Sequence, residues 1–260
     1  MRIACFQGPE RPDTPEGNVA LLARVAAKAR TGGAALLVAP ELFLTGYAIG
    51  KEAGERLAQP LDGPSLDAAR ENARREKIAP STLGFAIDPQ PFDGKVVATY
   101  RKTHLFGDVD RKQFADSGTL PAVFDLGGFK CGLLICYDVE FPENVRAHAL
   151  NGAELVLVPT ALMMPFDIVA KTIVPARAYE NQVFVAYVDR CGTEAPFDYC
   201  GLSCVVGPDG ADLARAGRGE ELIFADLDRR SMEESRRLNT HLADRRPELY
   251  SRLSIRDGAQ

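Results

Sequence analysis

Gly132-Leu133-Leu134-Ile135-Cys136-Tyr137-Asp138-Val139-Glu140-Phe141-Pro142-Glu143 changes its grammar halfway. An unbroken apolar run, the mark of a buried strand, ends at a cysteine. A few residues later Pro142 opens a stretch that reaches Asn151, with Gly152 behind it. Proline in the first turn and glycine past the end is the signature of a helix. Cys136 therefore stands on a strand-to-helix turn. A side chain there is exposed at a sheet edge, beside backbone N–H groups that the helix leaves unpaired. Those groups and the helix dipole favour a thiolate. The competing reading is a buried, inert thiol, the commoner fate of cysteine, which fits Cys131 and Cys204.

Working outward, apolar runs recur with helical stretches between some of them. Residues 3–6, 35–39, 155–158, 183–188, 202–206 and 222–225 read as strands. Residues 82–87 and 96–100 read as a strand pair around Asp93-Gly94, and 122–126 and 131–135 as another around Gly127-Gly128. Pro208-Asp209-Gly210 is expected to join the last two strands. Residues 15–31, closed by Gly32-Gly33, and 65–77 have helical spacing. So do residues 166–181, where Pro175 should kink the helix or end its first part. From Arg229 the chain is polar and charged, and 229–260 is expected to be a peripheral C-terminal arm of a single domain covering 1–260. Strand pairs joined by hairpins exclude a purely parallel sheet and favour one layered α/β fold.

Composition narrows the functional classes. The 260 residues carry a net charge of −5 with scattered basic residues, so there is no nucleic-acid footprint. No run approaches the ~18 apolar residues of a membrane span. The opening Met1-Arg2-Ile3-Ala4-Cys5-Phe6-Gln7 is not a leader, so a cytoplasmic location is expected. Six cysteines in that compartment should be free thiols. Cys191, Cys200 and Cys204 match no standard zinc spacing and read as small strand residues, so neither metal nor cofactor is expected.

Two further segments end apolar runs in charged residues: Leu37-Val38-Ala39-Pro40-Glu41-Leu42-Phe43 and Tyr100-Arg101-Lys102-Thr103-His104-Leu105-Phe106-Gly107. Together with Cys-Tyr-Asp-x-x-Phe-Pro-Glu from Cys136, in that order and spacing, they resemble the nitrilase (carbon–nitrogen hydrolase) superfamily. The resemblance runs from Ile3 to about Asp228 and includes Pro159-Thr160-Ala161 and Ala176-Arg177-Ala178-Tyr179-Glu180-Asn181. It implies a four-layer α-β-β-α sandwich, a homodimer or larger assembly, and Glu41, Lys102 and Cys136 as the catalytic set. The chemistry is coherent: an amide carbonyl is a poor electrophile and needs a strong nucleophile, Cys136. It needs a base to take the thiol proton, Glu41, and donors for the oxyanion, Lys102 and the Tyr137 N–H. Taken singly, Glu41 and Lys102 read as a simple ion pair or as solvated surface charges; the shared pattern raises both. Many family members carry a second glutamate between the lysine and cysteine motifs, and here Asp110 takes that place. A Cys–His arrangement through His104 or His148 lacks any signature segment. His104 is expected behind the lysine loop, and His148 in a structural role.

Substrate choice turns on Glu140. Members that hydrolyse carbamoylated amino acids commonly carry arginine here, able to clasp a carboxylate. A glutamate repels a carboxylate and attracts an amine, or it simply braces the following helix. Within the family, segments 100–107, 134–144 and 199–201 are similar to bacterial amidases that act on 5-aminopentanamide in lysine degradation. The expected reaction is hydrolysis of a small aliphatic ω-amino amide, with Tyr137, Asp110 and Glu140 as substrate-binding residues. Asp167, Asp198 and Asp108 are further candidates for an ammonium contact. The alternatives are N-carbamoyl amine or nitrile hydrolysis, and a non-catalytic binding protein on the same fold.

Overall fold

The structure is a computed structural model and describes residues 1–10, 14–82, 85–87, 95–114, 119–120 and 122–250. The first half of the chain supplies β1 (Arg2–Gln7), α1 (Pro15–Thr31), β2 (Leu36–Val38), α2 (Gly50–Leu57), α3 (Pro64–Glu76), β3 (Ala79–Thr82), β4 (Phe85–Ile87), β5 (Val96–Thr99) and α4 (Gly107–Gln113). The second supplies β6 (Phe124–Leu126), β7 (Phe129–Leu133), α5 (Pro142–Leu150), β8 (Leu155–Pro159), α6 (Val174–Asn181), β9 (Phe184–Val188), β10 (Thr193–Glu194), β11 (Phe197–Asp198), β12 (Cys204–Val206), β13 (Asp212–Arg215), β14 (Glu221–Asp226) and α7 (Arg229–Leu238).

Two six-stranded sheets result, ordered β14-β1-β2-β3-β4-β5 and β13-β12-β9-β8-β7-β6. The central strands β1, β2, β3 and β7, β8, β9 run parallel, and the flanking pairs are antiparallel. Parallel strands are covered on both faces, which is why their sequences are continuously apolar. The two-residue period of β1 shows the layers directly. Ile3 and Cys5 face the second sheet and pack in one core with Leu133, Leu155 and Leu157. Ala4 and Phe6 face the other way, onto Leu22, Val25 and Ala29 of α1 and Ala69 and Ala73 of α3. On the far side, Val145 of α5 and Ala178 of α6 pack on the second sheet. The chain is thus a four-layer α-β-β-α sandwich, as the family resemblance implies.

Several local expectations need correction. Pro208-Asp209-Gly210 does not lead to residues 222–225; it closes a hairpin between β12 and β13, and β14 crosses to the other sheet to pair with β1. The turn chemistry was legible but the partner strand is a long-range choice. Residues 166–181 are helical as read, but only from Ile168 onward, and the first part ends just before Pro175. Val169–Ile173 is a π-helical turn, and Pro175 lies in the first turn of α6, where its missing N–H costs nothing. Thr82 ends β3 rather than opening β4. The turn assigned to Asp93-Gly94 lies outside the described residues. In the tail, α7 is capped by Asp228 and buries Met232 and Ser235, while the Gln182 amide donates to the carbonyls of Ser235 and Asn239. Among the described residues no helix is long and apolar enough to cross a membrane.

Candidate active site

Glu41, Lys102 and Cys136 follow the ends of β2, β5 and β7, and the loops after β8 and β9 meet them there. Carboxyl ends of parallel strands are where open α/β sheets place their sites. All three residues are buried, at 5%, 8% and 8% exposure. Lys102 Nζ lies 3.1 Å from Glu41 Oε1 and 2.7 Å from Asp110 Oδ2. Burial alone would pull the lysine down, but Glu41, Cys136 and Asp110 outweigh it and hold the ammonium charged. Glu41 goes the other way. Burial raises its carboxyl, and Lys102 and the Cys136 thiol only partly offset that. Its Oε2 is buried with no hydrogen-bond partner, an acceptor available for a proton.

Cys136 opens a 3₁₀ turn, Cys136–Glu140, with φ +48°, a left-handed conformation that a side chain adopts only when its surroundings enforce it. Burial raises its thiol, and Glu41 adds to that. Lys102, the Thr160 hydroxyl and the Ala161 N–H work against it. Burial thus favours the protonated form of the thiol, and catalysis requires that its proton move to a neighbouring group.

Asp110 is fully buried: Oδ1 accepts from Tyr47 OH at 2.7 Å, and Oδ2 from the Phe106 N–H at 2.8 Å and from Lys102. Both oxygens are occupied, so it faces the lysine and not the pocket. That pocket, a narrow cleft, opens above Cys136 between Tyr47, Phe106, Tyr137, Phe166, Met163 and Glu140. Phe106 meets Tyr137 and Phe166 edge-on, at 5.3 and 5.8 Å between ring centroids. Tyr137 and Glu140 both line this pocket. The other acids do not: Asp108 pairs with Lys112, Asp167 with Arg218 and Lys171, and Asp198 accepts from Thr193. His104 sits behind the lysine loop, stacked on Phe141 at 4.0 Å, and His148 is buried against β7, with burial lowering its imidazole.

Sequence reasoning missed Asp138, although it lies inside the quoted motif. This fully buried carboxylate accepts from the Ile135 N–H, Tyr100 OH, Thr103 Oγ1 and the His104 N–H, all within 2.8–3.1 Å, with His104 Nδ1 at 3.0 Å. It staples the lysine loop to the cysteine turn. Asp138→Asn replaces one acceptor by an NH₂ that faces N–H and O–H donors. A loss of about 2–3 kcal/mol of unfolding free energy is expected in urea titrations, the cost of unsatisfied buried polar groups. An unchanged midpoint would remove the staple. Arg190 and Glu194, which reach back to Glu41 and Tyr47 from beyond the end of β9, were missed as well.

A layered sandwich holding a buried thiol, carboxylate and ammonium at its strand ends defines a hydrolase built around cysteine chemistry. The sequence pattern of the carbon-nitrogen hydrolase family matches residues 2–237, and the chain belongs to that family. It is 47% identical to the "Hydrolase in pqqF 5'region" of Pseudomonas protegens, over 98% of this chain and 93% of that protein. It is 37% identical to an (R)-stereoselective amidase of a Pseudomonas species, over 83% and 81%. A crystal structure of an amidase from Nesterenkonia superposes with a TM-score of 0.86 at 36% identity, covering 97% of this chain and 96% of that one. The protein is an amidase of the nitrilase superfamily, acting on linear, non-peptide carbon–nitrogen bonds.

Proposed function

We propose that the protein hydrolyses small aliphatic ω-amino amides, with 5-aminopentanamide as reference substrate, to a carboxylate and ammonia through a thioester on Cys136. Glu41 takes the thiol proton as sulfur attacks the carbonyl carbon. Lys102 and the Tyr137 N–H share the oxyanion. On collapse the C–N bond breaks and Glu41 returns the proton to the departing nitrogen, which leaves as ammonia. Glu41 then deprotonates water, hydroxide adds to the thioester, and the C–S bond breaks to release the acid and restore the thiol.

The observation that carries the substrate class is Glu140. It lines the pocket and, among the described residues, its carboxylate makes no hydrogen bond or ion pair. Arg177 lies close but spends its guanidinium on the Val139 and Glu140 carbonyls and on Glu180. Burial raises the Glu140 carboxyl, partly offset by Arg177 and then Lys102. An ammonium end group would supply the missing counter-charge, and the surrounding aromatic faces attract cations as well. Neutral amides fit the apolar walls but leave Glu140 unpaired.

Ammonia release from 5-aminopentanamide and from pentanamide tests this. The amino amide should lead in kcat/KM by about 10-fold or more, the worth of one charge-assisted contact. Glu140→Gln should erase that lead, mostly through KM. Equal turnover of both amides by the native protein would end the amino-amide reading. Carbon dioxide from an N-carbamoyl amine, or acid from a nitrile, would redirect it within the family. Binding without turnover would point to a non-catalytic role. The proposal includes a place in lysine degradation in the cytoplasm and a homodimer or larger assembly. Exposed Leu150 on α5 and Tyr179 on α6 support self-association.

A further inference from the structure

We propose that Arg190 is a positioning residue for Glu41 and, through Glu194, for Lys102. The inference rests on Glu41 acting as the base. Arg190 follows β9 and is fully buried. Its Nε donates to the Glu41 carbonyl at 3.1 Å and its Nη2 to the Leu42 carbonyl at 2.7 Å. One planar fork thus grips two successive carbonyls, a geometry a lysine cannot copy. The gripped turn is strained: Leu42 has φ +48°, where a side chain with a Cβ is disfavoured. The Glu41 N–H donates to the Thr160 carbonyl, and the Thr45 and Gly46 N–H groups donate to the Leu42 carbonyl; the Arg190 fork adds to them the contact that fixes the Glu41 carbonyl, and losing it would let the peptide that carries the Glu41 side chain shift.

The remaining nitrogen, Nη1, makes no hydrogen bond but lies 3.7 Å from Glu194 Oε2. That carboxylate accepts from the N–H groups of Tyr47 and Ala48 and from Tyr199 OH. Tyr47 OH in turn holds Asp110, which holds Lys102. Two routes therefore leave a single guanidinium: one ends at the base, the other at the ammonium. Next to it, the Asp189 carboxylate accepts from the Leu162 N–H at 2.7 Å, fixing the loop whose Thr160 and Ala161 donors face the sulfur. Arg190 touches no reacting atom. Its effect is on where Glu41 and Lys102 stand, and displacements of about 1 Å in such sites cost about 100-fold in rate.

Arg190→Lys keeps the charge and loses the fork; Glu194→Gln keeps an acceptor and loses the counter-charge. For Arg190→Lys, kcat should fall about 100-fold with KM changed less than about threefold. The rate of Cys136 alkylation by iodoacetamide, followed by peptide mass, should drop at neutral pH, and its pH midpoint should move toward that of an unassisted thiol. A residue serving stability alone would lower the melting temperature and leave that midpoint in place. If Arg190→Lys does not fold, Glu194→Gln carries the same readouts, with a smaller loss of kcat. Glu41→Gln is assayed alongside. Should Glu41→Gln retain activity, the reading of Glu41 fails. Should Glu41→Gln be inactive while Arg190→Lys and Glu194→Gln keep native kcat and alkylation profiles, the positioning role alone fails.

Discussion

Glu41→Gln is expected to lower kcat by about 1,000-fold, within the range of general acid–base catalysis, and at the same time to make the protein more heat-stable. The first half follows from proton accounting. Glutamine keeps the size of glutamate and an oxygen for Lys102, but it cannot accept the thiol proton, return it to ammonia or deprotonate water. The second half follows from the carboxyl's raised position in the fold, caused first by burial and only partly offset by Lys102. A group whose pKa is higher folded than unfolded binds more protons in the native state. Its contribution is therefore favourable below its unfolded pKa, 4.5 as the ordinary value, and is lost as pH rises through the folded one. At neutral pH the native enzyme bears that cost, and the amide variant does not. A gain of about 2–4 °C in melting temperature corresponds to ~1 kcal/mol in a chain of this size. Calorimetry at pH 5 and pH 8 should show the gap between variant and native protein widening with pH. A variant that is less stable at both values would mean that the Lys102 pair outweighs burial. A variant with a tenth of native activity or more would remove the base.

The sequence could be read at its strand ends and went silent between them. Apolar runs that stop at Glu41, Lys102 and Cys136 announce both the sheets and the candidate site, because a buried parallel strand needs a continuous apolar sequence and its end needs a turn. Local spacing places α1 and α5 within a residue of where they lie. It says nothing of α2, which buries none of its side chains, or of α4, seven residues long. Nor does it expose the brace. Arg190 and Glu194 reach Glu41, Leu42 and Tyr47 across about 150 positions of chain, and a lone charge in a loop is ordinarily solvated. Asp138 is in plain view in the cysteine motif, yet all the partners of its carboxylate but Ile135 lie 34 to 38 residues upstream. Such groups are recognised by what the fold brings to them. Asp110 shows the converse: its position was legible from the family pattern, but that it faces the lysine and not the pocket is a fact of packing.

Lys102 is where catalysis and stability pull the same way, in contrast to Glu41, so its removal should be the most damaging single change. Lys102→Met takes away the ammonium that lies between two buried carboxylates, at 3.1 and 2.7 Å. Burial and Asp110 both raise the Glu41 carboxyl, and with the cation gone nothing of comparable weight opposes them, so Glu41 is driven toward its protonated form. The base is then lost as well as the oxyanion partner. A kcat loss of about 1,000-fold or more is expected from the missing charge alone, together with about 3–5 kcal/mol of stability, the usual result of deleting one member of a buried pair. The two losses can be separated. Adding Asp110→Asn to Lys102→Met removes one orphaned carboxylate and should return part of the stability without returning any activity. Chemical denaturation and ammonia release on the single and double variants make that comparison. If the double variant were no more stable than Lys102→Met, Asp110 would not be a partner of the lysine in solution. If Lys102→Met still hydrolysed amides at near-native rate, the oxyanion would have to be held by backbone N–H groups alone.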